Sequence, residues 1–364
     1  MSLRVLVVDD AIVFRRIISD ALAGIPGVEV VGAASNGRLA MARITALQPD
    51  LVTLDIEMPE MSGIEVLEAM NAAGIKAGVI MLSALTVRGG EMTVRALELG
   101  AFDFLTKPDS GKAEQNLDHL RACLAPMIRA FERRREIRSI LRGDASGAAH
   151  VEPAGGLPGI PGSARCVRRT GSPLVLIGVS TGGPGALAKL LPALPGNLGA
   201  PVFIVQHMPR MFTQPLAASL DKKSAIHVKE AQDGETAQMN CAYLAPGGRQ
   251  MKLSAGSKGE IIVRITDDPP ENGCQPAVDY LFRSAALHFP GRSVAAILTG
   301  MGNDGTSGLR MLKRGGCFSI AQDEASCVVF GMPKEAIQAG LVDTVASLDA
   351  IGGAIVRSVR EARS

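Results

Sequence analysis

Tryptophan is absent from the 364 residues, and aromatic residues make up only 3%. Aromatic cores are thereby excluded. The 47% of apolar residues must build their cores from Ala, Val, Ile, Leu and Met, a diet that suits the continuous aliphatic strands of parallel α/β sheets. Long apolar runs are missing as well, and none approaches the ~18 residues of a membrane span. The opening MSLRVLVVDD has too short an apolar run for a signal peptide and meets acid at once. A cytosolic protein is expected. The six cysteines (Cys123, Cys166, Cys241, Cys274, Cys317 and Cys327) form no C-x-x-C pair and no metal-ligand spacing. That excludes a sequence-evident zinc module and points to free thiols in a reducing compartment. Charge of one sign is lacking too. The net charge is +2, which argues against a general nucleic-acid binder.

What is present is organised in blocks. The length suits two domains joined by a linker. Residues 1–128 carry a net −5, residues 129–171 a net +5 and the remainder +2. In the first block the runs RVLVV, VEVVGAA, LVTLD, GVIMLS and FDFL alternate with helix-periodic stretches near 11–23, 37–47, 63–72, 89–99 and 112–130. Five strand–helix repeats predict a parallel, doubly wound sheet. The basic stretch RAFERRREIRSILR reads as the tail of the fifth helix. After it, residues 143–171 hold ten Gly or Pro in 29 positions, the texture of a flexible linker. From 173 the α/β grammar resumes. Strands are expected at 174–179, 202–206, 226–230, 242–245, 250–253, 260–265, 293–299 and 316–320, and helices at 183–194, 212–221, 277–288, 306–314 and 333–339. No helix separates the short strands between 226 and 265, so part of this sheet is expected to be antiparallel or to form a hairpin flap.

Ligands of open α/β sheets bind beyond the carboxyl ends of the strands. In the first block those ends carry Asp9 and Asp10 after strand one, Asp55 after strand three, Ser83 after strand four and Lys107 after strand five. Three converging carboxylates repel one another unless a cation sits among them, and hard oxygen ligands suit Mg²⁺. Lys107 and Ser83 are able to hold phosphoryl oxygens, and Asp55 is then placed to attack phosphorus. The stretches VVDD, DIEMP, SALT and TKP make residues 1–125 similar to a response-regulator receiver domain. The resemblance implies a flavodoxin-like (βα)5 fold with Asp55 as phospho-acceptor. It also implies Mg²⁺ among Asp9, Asp10, Asp55 and the backbone of Glu57, a switch pair of Ser83 and Phe104, and a histidine kinase as phosphoryl donor.

In the second block LVLIGVSTGGPGAL (174–187) fits three readings. Gly178–Gly182 has the G-x-S-x-G spacing of a nucleophile elbow around Ser180, glycines after a strand also cradle phosphates, and a βα turn without chemistry is the plain alternative. No Lys follows as in a P-loop, and no acid stands ~20 positions on to hold a ribose. Of the five histidines only His207 directly follows an apolar strand, PVFIVQH, which places it on the rim that holds Ser180. Asp304 in ILTGMGNDGTSG is the candidate acid and Asp323 in AQDEAS its rival. The order Ser, His, Asp differs from that of α/β-hydrolases, where the acid precedes the histidine, which leaves a serine hydrolase of another topology.

The stretches IGVSTGG, IVQHMP, YLAPGG, ILTGMGNDG and AQDEASCVVFGMP make residues 173–345 similar to the CheB-type protein-glutamate methylesterases of bacterial chemotaxis. This resemblance implies attack by Ser180 on a glutamate γ-methyl ester of a methyl-accepting chemotaxis receptor, with His207 as base and then acid and Asp304 as its orienter. It implies the Met301 amide as oxyanion donor with Thr181 nearby, release of methanol, deamidation of certain receptor glutamines, and a CheA-type histidine kinase as partner. No cofactor is expected for the ester chemistry, and no nucleic acid or membrane insertion. The expected boundaries are a receiver over 1–125, a basic helix end and linker over 126–171, and a doubly wound α/β catalytic domain with a short antiparallel part over 172–360. One departure stands out: the family often carries a His-Arg pair where Cys274-Gln275 precede Pro276. Joining a receiver to a hydrolase suggests that the unphosphorylated receiver covers the Ser180 rim. The rival readings are a binding-only esterase relative and a DNA-binding output, and the second block shows no basic recognition helix for the latter.

Overall fold

A computed structural model describes residues 2–84, 86–108, 113–141 and 172–363. The Gly/Pro-rich stretch 143–171, with His150 and Cys166, lies outside the described residues.

The first unit runs β1 (Leu3–Val8), α1 (Ile12–Ala23), β2 (Val28–Ala34), α2 (Gly37–Leu47), β3 (Leu51–Asp55), α3 (Gly63–Ala72), β4 (Gly78–Ser83), α4 (Val87–Glu98), β5 (Asp103–Thr106) and α5 (Ala113–Leu141). Its five strands are parallel in the order β2-β1-β3-β4-β5. Chain direction across the sheet reverses between β1 and β3, which opens a crevice where ligands settle. Val8 pairs with Leu54, so Asp9 and Asp55 leave adjacent strands side by side. The fifth helix is one continuous element through Pro126 to Leu141, passing well beyond residue 125.

The second unit runs β6 (Leu174–Val179), α6 (Gly183–Leu190), β7 (Val202–Gln206), α7 (Arg210–Asp221), β8 (His227–Glu230), β9 (Cys241–Leu244), β10 (Gln250–Ala255), β11 (Ile261–Thr266), α8 (Val278–His288), β12 (Ser293–Ile297), α9 (Thr306–Arg314), β13 (Phe318–Gln322), α10 (Met332–Gln338), β14 (Thr344–Ala346) and α11 (Leu348–Arg363). Seven strands form a parallel sheet ordered β14-β13-β12-β6-β7-β9-β8. The antiparallel expectation holds only for the separate hairpin β10–β11. The other two short strands of that region, β8 and β9, pair in parallel and extend the main sheet. Two elements escaped the sequence reading, β14 and α11.

The central strand is β6, buried along its whole length and flanked by β12 and β7. Apolar packing is continuous between the units: one buried cluster joins Leu54, Val94 and Leu97 of the first to Leu187, Phe212 and Leu216 of the second. The seam lies between α4 and α7. There Glu98 accepts from Ser219 Oγ at 2.5 Å and sits 2.7 Å from Lys223 Nζ. Phe104 of β5 packs on Phe212 with ring centroids 4.7 Å apart.

Candidate active site and phosphoacceptor pocket

Register places the catalytic candidates. Val179 pairs with Gln206 and Gly178 with Ile297, so the residues that leave β6, β7 and β12 emerge in one row. Ser180 follows β6, His207 follows β7, and the loop from Thr299 to Gly305 follows β12. The backbone knits the row together: Ser180 N–H donates to Thr299 O at 3.0 Å and His207 N–H to Val179 O at 3.1 Å. Gly300 is required by closeness, because a Cβ there would stand 2.7 Å from Ser180 Cβ.

His207 Nε2 donates to Asp304 Oδ2 at 2.8 Å. The imidazole is 13% exposed and the Asp304 side chain 4%. Burial lowers the basicity of His207, but hydrogen bonds to Asp304 and Cys274 more than offset this and raise it to about 9. Burial also works against the Asp304 charge, yet the bond from His207 and the N–H groups of Asp279 and Val278 leave its carboxyl below the usual value. Asp304 is therefore an acceptor, Nε2 carries the proton that bonds it, and Nδ1 is the nitrogen left for proton transfer. Among the described residues no hydrogen bond joins the Ser180 hydroxyl to the imidazole, a looseness common in free enzymes. Met301, whose N–H has no acceptor among the described residues, stands in the loop after β12 beside Gly300. Asp323 lies elsewhere, its carboxylate taken by the N–H and hydroxyl of Ser326.

Four supporting residues were not singled out from the sequence. Gln206 Nε2 donates to the carbonyls of both Ser180 and His207 at 3.0 Å, locking the two turns to each other. Thr299 Oγ1 donates to Thr181 O at 2.9 Å and accepts from Val328 and Val329 N–H. Asp279 and Asp304 form a reciprocal pair of helix caps. Asp304 accepts from the first two N–H groups of α8, Val278 at 2.7 Å and Asp279 at 3.0 Å. Asp279 of α8 in turn accepts from Gly308 N–H in the first turn of α9 at 2.6 Å. The one sequence signal was the Pro-Ala-Val-Asp stretch ending at Asp279. The fourth is Asp103 of β5, whose carboxyl reaches Thr181 across the seam. Its burial pushes it up to about 6, against hydrogen bonds from Thr181 and from Phe104 N–H. A cavity of about 250 Å³ lies between the units, bounded by Leu97, Asp103 and Phe104 on one side and Ser180, Thr181 and His207 on the other.

In the first unit Lys107 Nζ lies 2.8 Å from Asp9 Oδ2 and 2.7 Å from Asp55 Oδ2. Burial pushes the Asp55 carboxyl up to about 6, with Lys107 opposing and Asp9 and Asp10 adding to the rise. Asp9 is likewise raised by burial. Ligand oxygens of Asp9, Asp10 and Asp55 lie within 4.8 Å of one another. One lysine against three carboxylates leaves an excess of two negative charges, which fits a divalent cation. Ser83 is fully buried and accepts from Thr93 Oγ1 at 2.9 Å, so its hydroxyl is engaged by α4. Phe104, its expected switch partner, is the residue packed against Phe212 with the ring planes tilted by 44°.

Comparison with known proteins places this geometry. A family model described as CheB methylesterase matches residues 175–355, and one described as response regulator receiver domain matches residues 5–117. A protein-glutamate methylesterase/protein-glutamine glutaminase of Desulfotalea psychrophila is 50% identical over 361 residues, covering 99% of each chain. Its counterpart in Bacillus subtilis is 43% identical over 366 residues, again covering 99% of each. Among solved structures, the CheB methylesterase catalytic domain of Thermotoga maritima is 41% identical with a TM-score of 0.51, covering 52% of this chain and 100% of that one. With both blocks matched and relatives aligned along nearly the whole length, the chain belongs to the CheB methylesterase family, with a response regulator receiver domain ahead of the methylesterase domain.

Proposed function

We propose that this protein is a phosphorylation-activated hydrolase of methyl-accepting chemotaxis receptors, acting in the cytoplasm. It converts glutamate γ-methyl esters to glutamate and methanol, and certain glutamines to glutamate. The observation that carries the reading is His207, held at Nε2 by Asp304 at 2.8 Å on the strand-end rim that presents Ser180. Relatives named for both activities support it, and among the described residues no helix is long and apolar enough to cross a membrane.

The residues take the following parts. Ser180 Oγ attacks the γ-carbonyl while Nδ1 of His207 takes its proton, and Asp304 stabilises the imidazolium. The Met301 N–H, with Thr181 beside it, stabilises the developing oxyanion. His207 returns the proton to the departing methoxide, giving methanol, and then draws a proton from the water that cleaves the acyl-serine. An amide passes through the same tetrahedral geometry and releases ammonia.

In the receiver Asp55 accepts a phosphoryl group from a CheA-type histidine kinase. Asp9, Asp10 and Asp55, with the carbonyl of Glu57, would hold Mg²⁺, which supplies charge neutralisation for the incoming phosphoryl oxygens. Lys107 and Ser83 hold the remaining oxygens. Ser83 must turn from Thr93 to do so, and that change travels through α4 and Phe104 to the seam. The unphosphorylated receiver masks the Ser180 rim, and phospho-Asp55 shifts the population to an open state. Beyond the apolar packing of α4 on the second unit, the contacts of the seam are individually weak. One aromatic pair is worth about 0.5–1.5 kcal/mol, and a partly exposed ion pair such as Lys223–Glu98 about 0–1 kcal/mol.

The seam also supplies a test independent of phosphate. A Cβ on Gly90 of α4 would stand 2.4 Å from the Met211 carbonyl oxygen of α7. Overpacking of this kind costs ~1–3 kcal/mol. Gly90→Ala is therefore expected to raise methanol release by the unphosphorylated protein at least about fivefold, while alanine suits the helix better than glycine. Release equal to wild type, with the variant folded, rules masking out.

The reading as a whole is tested by methanol release from methylated chemoreceptor membranes with and without acetyl phosphate. Wild type is expected to release methanol and to be boosted by acetyl phosphate, whereas Asp55→Ala keeps the basal rate and loses the boost. No release from any receptor, with Asp55 still phosphorylated, leaves the receiver standing and makes the second domain either a binding module or a hydrolase for a different ester.

A further inference from the structure

A thiol stands beside the His-Asp pair. Cys274 Sγ lies 3.6 Å from Nδ1 of His207, the same nitrogen that proton transfer from Ser180 requires. Sγ, the imidazole and the Asp304 carboxylate form one cluster with ligand atoms within 4.8 Å. The thiol is held there by its backbone. Cys274 N–H donates to Glu271 O at 2.8 Å, and Cys274 O accepts from Glu271 N–H at 3.0 Å and from Gln250 Nε2 at 3.3 Å. Cys274 remains half-buried and open to small molecules, while Cys241, Cys317 and Cys327 are buried.

A metal centre is the first alternative for such a cluster, and the Asp304 contacts argue against it. Its Oδ2 already accepts from His207 and Val278, and its Oδ1 from Asp279, Gly305 and Asn272. That leaves a metal only two side-chain ligands. The arrangement is instead that of an activated thiol: nucleophile, imidazole and orienting carboxylate.

We propose that Cys274 is a covalent modification site for peroxides and soft electrophiles, primed by His207, and that its modification switches off hydrolysis at Ser180. This inference rests on the assignment of His207 as the base for Ser180. Loss of the Sγ proton to solvent leaves a thiolate beside the His207 imidazolium, which stabilises it. With hydrogen peroxide the thiolate sulfur attacks one oxygen, the O–O bond breaks, and hydroxide leaves and takes the imidazolium proton. The thiol is oxidised to a sulfenic acid and the peroxide is reduced to water. With iodoacetamide the sulfur displaces iodide, and the imidazolium proton is lost to solvent. Either adduct lies against Nδ1 and bars the Ser180 proton from it. A thiol competes well for that nitrogen, because its ordinary pKa near 8.5 lies far below that of a serine hydroxyl.

The test uses the full chain in the presence of EDTA. Iodoacetamide labelling is followed residue by residue by mass spectrometry at neutral pH. Cys274 is expected to react at least ~10-fold faster than Cys123, a partly buried thiol whose pKa burial raises and whose neighbouring His119, at 3.8 Å, has no carboxylate bonded to it among the described residues. His207→Gln is expected to bring the Cys274 rate down towards that of Cys123, a change that exposure alone would not produce. Methanol release is then measured after peroxide, each variant scaled to its own untreated rate. Wild type is expected to lose at least ~10-fold and to recover with dithiothreitol, whereas Cys274→Ser loses less than ~2-fold. Labelling of Cys274 no faster than Cys123, full activity after complete modification, or equal peroxide loss in Cys274→Ser each overturns the proposal. If the untreated protein releases no methanol, the esterase assignment fails by itself, and the labelling rates still decide whether His207 primes the thiol.

Discussion

Alanine at position 180 is expected to lower methanol release by about 10³–10⁶-fold, the range over which triad nucleophiles act elsewhere. The Ser180 hydroxyl makes no hydrogen bond to the imidazole in the resting arrangement, and its turn is fixed by backbone bonds to Thr299 and by Gln206. Removing the oxygen thus leaves the fold intact. Acetyl phosphate should still label Asp55 of Ser180→Ala at the wild-type rate, since the two sites end different sheets. Activity within ~10-fold of wild type moves the nucleophile elsewhere, and Cys274 is then the residue to examine.

Asp304→Asn is expected to cost both activity and stability. An amide in place of the carboxylate holds His207 in the wrong tautomer, an effect worth about 10⁴-fold where it has been measured in a triad of this type. The amide also turns donors towards N–H groups. Asp304 accepts from Val278, Asp279 and Gly305 N–H, and Asn must leave at least one of them unpaired at about 1–3 kcal/mol. The melting temperature should fall by several degrees, unlike that of Ser180→Ala. The pH profile gives a further readout. His207 must be neutral to act as base and is held at about 9, so wild-type rates should climb as pH rises towards that value. With the Asp304 charge gone, a principal cause of the rise is gone, and the acid limb of the residual activity should move to lower pH. An unmoved limb would show that Asp304 does not face the working base.

Much of this site was legible because it is written at strand ends. Asp9, Asp55, Ser83, Lys107, Ser180, His207 and the Asp304 loop all follow aliphatic runs, and parallel strands bring such positions to one rim. What stayed hidden depended on pairings that sequence spacing does not carry. Gln206 reads as the last residue of a strand, yet its amide ties two turns together. Asp279 and Asp304 exchange helix caps across 25 residues of chain. Asp103 reads as an ordinary strand residue until the second domain covers it. Which of the short strands pair antiparallel stayed open, because a parallel connection normally contains a helix and the one between β8 and β9 has none. Strand β14 spans three residues, too few for a period. Helix α11 was obscured by Gly352 and Gly353, although Gly352 is what lets that helix lie close to Ala193.

Under the proposed masking, strand β5 serves both ends of the signal. Asp103 and Phe104 meet the catalytic domain, and Lys107, just past the end of the same strand, touches Asp9 and Asp55. At about 3.3 Å per residue the two jobs are only ~10 Å apart, on one rigid element. Information exchanged over such a distance is reversible, because coupling between two binding events has the same size in both directions. Under masking, a receptor segment that settles on Ser180 displaces the very residues that report phosphate. The esterase's substrate is then also an input to its receiver: a methylated receptor in the cleft tightens the hold of the Asp55 pocket on a phosphoryl group by the same factor that phosphate tightens the cleft's hold on the receptor.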